Sequence, residues 1–142
     1  MNTQFKAARA ENYRVSDRSA ADIRYLVIHF TANDGDTAKN NADYFAREAP
    51  GVSAHFFVDE KEIWQSVREK DVAWHCGTRG MYFHPYCRNA NSLGIELCSR
   101  KQGEKYYFTP ETVKNARNFV RFLMKKYDIP LANVVRHYDV TH

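Results

Sequence analysis

The chain has 142 residues, 44% hydrophobic and 27% charged, and its 14% aromatic share argues against a disordered polymer. That length can bury one core without disulfide or metal staples, and no apolar run approaches membrane-spanning length. A formal charge of +4 and a pI of about 9.0 suit a polyanionic partner, nucleic acid or an acidic polymer, but a net charge this small fits ordinary solubility better, and no Arg/Lys run or nucleic-acid motif is present.

The start, Met1-Asn2-Thr3-Gln4-Phe5-Lys6, lacks the apolar stretch of a secretory signal, so synthesis in the cytoplasm is expected. Residues 1–22 are polar and mixed in charge, and read as an arm with one short helical turn. The run Tyr25-Leu26-Val27-Ile28-His29-Phe30 is branched or aromatic throughout and fits a strand buried on both faces. Residues 33–36 (Asn-Asp-Gly-Asp) make a turn. In residues 37–49, Ala38, Ala42, Phe45, Ala46 and Ala49 share one helical face, with Asp36 or Thr37 as cap and Pro50-Gly51 as stop.

Residues 52–58 read as a strand and 63–67 as its hairpin partner. Residues 70–86 form a loop crowded with Trp74, His75, Tyr82, Phe83, His84 and Tyr86, and a long loop so rich in rings is more often functional than idle. Residues 92–98 (Ser-Leu-Gly-Ile-Glu-Leu-Cys) read as another strand, in which Glu96 is the odd residue. Residues 99–105 read as a charged loop. Thr109 caps, and Pro110 opens, a helix over 110–127 whose stripe is Val113, Ala116, Val120, Leu123 and Tyr127. Residues 133–137 are a last short strand. The fold class expected is α/β, a mixed central β-sheet flanked by helices, with one domain spanning residues 1–142. Three cysteines, Cys76, Cys87 and Cys98, without a Cys-x-x-Cys, read as buried reduced thiols.

Three polar residues sit on or beside apolar strands: His29, Glu96 and His137. Imidazole is the commonest transition-metal ligand in proteins, and a catalytic zinc keeps one position open for water. A nearby carboxylate that is not a ligand can take the proton from that water. Read from spacing alone, structural hydrogen bonds account for the three residues equally well.

Five segments occur in order: Val27-Ile28-His29-Phe30-Thr31-Ala32; Val52-Ser53-Ala54-His55-Phe56-Phe57-Val58-Asp59; Ala73-Trp74-His75-Cys76-Gly77; Asn91-Ser92-Leu93-Gly94-Ile95-Glu96-Leu97-Cys98; and Val135-Arg136-His137-Tyr138-Asp139-Val140-Thr141. The series, from about Arg24 to His142, resembles the zinc-dependent N-acetylmuramoyl-L-alanine amidases of the type-2 amidase and peptidoglycan recognition protein family. It is most similar to the endolysin and autolysin amidases of Gram-positive bacteria and their phages. The resemblance implies Zn2+ as cofactor, with His29 and His137 as ligands and Glu96 as general base. Some relatives use a tyrosine just before the second-strand histidine; Ala54 stands there, which leaves the role to Glu96. His55, His75, Trp74 and Thr31 match positions along the substrate groove.

The family's third ligand, a cysteine or aspartate, would fall beyond His142, and His142 and Asp139 are the nearby candidates. The resemblance implies a peptidoglycan substrate, no nucleic-acid or membrane partner, action on the wall after release, and a wall-binding module lying outside these residues. The alternative it leaves open is a module of the same fold that binds peptidoglycan without cutting it.

Overall fold

The structure is a computed structural model that describes residues 2–77 and 81–141. Its elements in chain order are β1 (Gln4–Phe5), β2 (Tyr13–Arg14), β3 (Tyr25–Phe30), α1 (Ala38–Arg47), β4 (Phe56–Val58), β5 (Ile63–Gln65), β6 (Val72–Ala73), β7 (Ser92–Leu97), β8 (Arg100–Gln102), β9 (Lys105–Tyr107), α2 (Pro110–Tyr127), β10 (Val134–Arg136) and α3 (His137–Thr141). Six strands form one sheet in the order β1-β5-β4-β7-β3-β10. Only β4–β5 is antiparallel; the other four pairings are parallel, so the sheet is mixed as the sequence predicts.

Side-chain alternation divides the layers. Leu26, Phe56, Val58, Leu93, Ile95 and Leu97 pack against Ala116, Phe119 and Leu123 of α2. The Phe56 and Phe119 rings meet edge to face, with centroids 4.7 Å apart. Phe119 is 0% exposed and Leu123 1%, and each such side chain contributes about 1.5–3 kcal/mol by leaving water. On the opposite face, Ala38 and Phe45 of α1 cover Phe57, while Val140 of α3 packs on Tyr25 and Val27. α2 begins as predicted: Thr109 Oγ1 accepts the Thr112 N–H at 3.3 Å and Pro110 takes the first position. It ends at Asp128 in the left-handed conformation.

Residues 2–22 are not a free arm. β1 extends the sheet beyond β5, and β2 pairs with β6. Buried Asn12 donates from Nδ2 to the Phe45 and Glu48 carbonyls at the end of α1, at 3.0 and 2.9 Å, and the Phe45 carbonyl also accepts the Arg9 backbone N–H. The helix stops at Arg47, two residues short of expectation, because Pro50 disfavours helical backbone before it.

Three other expectations shift. Within 52–58 only Phe56–Val58 joins the ladder. The predicted charged loop at 99–105 is the hairpin β8–β9, turned at Gly103 with φ +61°. His137 leaves the last strand and opens α3. All three cysteines are buried and unbridged.

Candidate active site

Parallel register places the polar residues in a row. Leu26 to Phe30 pair in step with Leu93 to Leu97, which sets His29 directly beside Glu96. On the other side of β3, Arg136 pairs with Ile28, so the next residue, His137, arrives beside His29. The His29 and His137 rings stand 4.8 Å apart between centroids. This row floors a cavity of about 450 Å³, walled by Phe45, Trp74 and His75.

The cavity runs on in both directions. Past Glu96, a cleft of about 450 Å³ continues along Thr31, Asn40, Tyr44 and Arg47. Past His29 and His137, an apolar hollow of about 390 Å³ is formed by Phe30, Phe108 and Tyr138.

Burial sets the protonation states. The Glu96 carboxyl is pushed up to about 7, first by burial and then by the negative charge of Asp36. It makes no hydrogen bond to a described residue. His29 is held down to about 3 by burial and secondarily by His137, so its imidazole is neutral at pH 7. His75 is held well below the usual histidine range for the same leading reason. A neutral imidazole beside a carboxyl poised near neutrality is a combination suited to ligation and proton transfer.

The remaining candidates separate. His75 is 8% exposed, and its Nδ1 lies 3.0 Å from His29 Nε2. Trp74, half-buried, lines the same cavity. Thr31 lies in the adjoining cleft, where its Oγ1 accepts the Ser99 N–H at 3.4 Å. His55 does not reach the cavity. It is 0% exposed, its Nδ1 accepts the Gly94 N–H at 3.0 Å, and its Nε2 donates to the Asp71 carbonyl at 2.9 Å. With both nitrogens committed to backbone, His55 is a packing residue here and not a groove residue. Burial holds it down to about 4.

Asp139 is not a third donor: its carboxylate accepts from the Arg136 backbone N–H and guanidinium, each at 2.8 Å. His142 lies outside the described residues.

Sequence reasoning missed Asn89 and Ser92. Asn89 Oδ1 accepts the backbone N–H groups of His75 and Cys76 at 3.1 and 2.7 Å. Ser92 Oγ lies 3.2 Å from His75 Nε2. Only the position of Ser92, two strand steps before Gly94 on the side of Glu96, offered a signal.

Two imidazoles side by side suit zinc. The buried Nε2 of His137 has no hydrogen-bond partner among the described residues, so its lone pair or proton is left for a group other than these. Among the described residues no group of three or more His, Cys, Asp or Glu converges to hold a metal ion. His29 and His137 therefore fit as two donors, and a third protein donor is not supplied by the described residues.

An α/β domain with two imidazoles and an isolated carboxyl at the ends of parallel strands defines a hydrolase-like site, and the comparisons with known proteins specify which. The profile described as N-acetylmuramoyl-L-alanine amidase matches residues 19–142. The amidase CwlL of Bacillus licheniformis is 35% identical over 130 residues, covering 86% of this chain and 35% of CwlL. The catalytic domain of XlyA, an amidase of Bacillus subtilis, superposes with a TM-score of 0.75 at 30% identity, covering 96% of this chain and 84% of that one. AmiD of Escherichia coli, solved with the substrate anhydro-N-acetylmuramic acid-L-Ala-D-gamma-Glu-L-Lys, superposes with a TM-score of 0.65 at 28% identity, covering 89% and 52%. The chain belongs to the N-acetylmuramoyl-L-alanine amidase family. It spans about a third of the length of curated relatives such as CwlL.

Proposed function

We propose that this domain hydrolyses the amide between the lactyl group of N-acetylmuramic acid and L-alanine of the peptidoglycan stem peptide, with zinc as cofactor. The observation that carries the reading is the register-locked row His137, His29 and Glu96 on the floor of one cavity. AmiD, a structural neighbour, acts on a muropeptide of this chemistry. The flanking clefts give the substrate somewhere to extend on either side of the scissile bond, glycan one way and peptide the other.

In this reading His29 and His137 would hold the ion through imidazole nitrogens. Zinc bound there supplies Lewis acidity, which polarises a carbonyl and makes water a stronger acid. Glu96, at the edge of ionisation at neutral pH, accepts the proton of the attacking water and returns it to the leaving amine. Trp74 and Phe45 exclude solvent from one wall. The enzyme is made in the cytoplasm and meets its substrate after release.

The test is digestion of purified peptidoglycan, following new L-alanine amino groups. Glu96→Gln is expected to lower turnover by about 10²–10⁴-fold while zinc content stays level with the parent. Parent-like turnover in that variant excludes the role. The lack of a third donor among the described residues favours one second reading, recognition without cleavage. It requires wall binding with no amine release by the zinc-loaded parent.

A further inference from the structure

His75 does more than line the cavity, and hydrogen-bond directions show how. The chain of contacts starts at a backbone carbonyl, which can only accept. Ser92 Oγ donates to the Arg88 carbonyl at 2.7 Å, so the hydroxyl proton is spent and its oxygen accepts from His75 Nε2 at 3.2 Å. A neutral His75 protonated on Nε2 has a bare Nδ1. That Nδ1 lies 3.0 Å from His29 Nε2, and two bare nitrogens would repel, so His29 Nε2 carries the proton and donates it. The remaining nitrogen of His29, Nδ1, is left with a free lone pair and no partner among the described residues. The Cys76 sulfur also lies 3.2 Å from His75 Nδ1; a thiol is a weak donor, and a bond from it leaves Nδ1 in the acceptor role.

The ring of His75 lies close over Gly94. A Cβ on Gly94 would sit 2.6 Å from His75 Cγ and 2.9 Å from its Nδ1, so the absent side chain of Gly94 forms the slot in which the imidazole lies. Asn89 fixes the backbone of the same residue. Ser92 is 0% exposed, so solvent does not scramble the order of donors.

We propose that Ser92 and His75 are positioning residues that fix His29 as its Nε2–H tautomer and so present the Nδ1 lone pair to the cavity. The consequence for zinc rests on reading His29 as a ligand; the tautomer itself does not. A histidine ligand commonly donates its second N–H to a fixed partner, and loss of that partner typically costs 10–100-fold in metal affinity.

Imidazole ¹⁵N NMR of the zinc-free 142-residue chain at neutral pH reads the tautomer directly. Protonated Nε2 and unprotonated Nδ1 are expected for both His29 and His75. Ser92→Ala removes the acceptor of His75 Nε2 together with the donor to the Arg88 carbonyl. It is expected to convert the His29 signals to a tautomer mixture and to weaken zinc binding about 10–100-fold by titration. His75→Ala should do the same. His75→Asn, whose Oδ1 falls near the place of Nδ1, should restore an acceptor and most of the affinity, which a merely space-filling role would not predict. A proton on Nδ1 of His29 in the parent overturns the proposal, as do unchanged His29 signals in both Ser92→Ala and His75→Ala. The expected tautomers without zinc uptake by the parent support the relay and refute the metal reading instead.

Discussion

Leu26, Ile28, Leu93, Ile95 and Leu97 point from β3 and β7 toward α2, while Val27, His29, Gly94 and Glu96 point from the same strands the other way. The first set is wholly apolar and closes against a helix. The second leaves a carboxyl and an imidazole nitrogen without partners among the described residues at one end of the sheet. The difference is not burial, since Glu96 and His29 are both largely withdrawn from water. It lies in whether each polar atom has been given a partner. His55 makes the point from a neighbouring position: more deeply buried than either, it has both nitrogens committed to backbone. A buried histidine is structural when the fold answers both nitrogens, and available for chemistry when one is left over.

Each side of that contrast can be broken separately. Phe119→Ala, on the apolar face, is expected to cost about 3–5 kcal/mol of stability in urea unfolding, the largest effect anticipated here. Glu96→Gln should act in the opposite sense. Because the folded state raises the Glu96 pKa from 4.5 to about 7, the parent keeps its full stability below pH 4.5 and loses it as pH rises through 7. The amide variant has no charge to bury and should gain up to about 3 kcal/mol over the zinc-free parent above pH 7. A variant no more stable than the parent would mean that Glu96 ionises without penalty.

Gly94→Ala should cost about 1–3 kcal/mol by overpacking and should also displace His75 from His29, visible as a shifted His29 ring signal. An unshifted signal would show that the slot is looser than the 2.6 Å contact implies. Thr37→Ala, which removes the N-cap of α1 far from the row, is expected to cost about 1 kcal/mol and to leave the His29 ring signals unchanged.

Much of this was legible in the residues. The run 25–30 announced itself by six branched or aromatic side chains, and α2 by its cap, its Pro110 and its stripe. Glu96 stood out because nothing apolar explains a carboxylate between Ile95 and Leu97. β1 and β2 left no trace, because two-residue strands carry no alternation to read. β8–β9 is exposed throughout, so its hairpin rests on Gly103 and backbone pairing, not on a hydrophobic pattern. His55 and His75 looked alike in sequence, since spacing does not count hydrogen-bond partners. What separates them comes from Gly94, Asp71 and Ser92, brought near only by the fold. Asp139 failed as a ligand for a local reason: Arg136, three residues earlier, holds its carboxylate.

β10 joins β3 across more than a hundred residues of intervening sequence, Val134 against Leu26. Closing so long a loop is slow compared with forming α2 or the β4–β5 hairpin. The pairing of His137 with His29 therefore belongs to the late, all-or-none stage of folding. A collapsed intermediate holding β3, β4 and β7 would already carry His29 and Glu96 side by side, yet would have only half of the imidazole pair. Assembly of the row His137, His29 and Glu96 is in this way tied to completion of the fold.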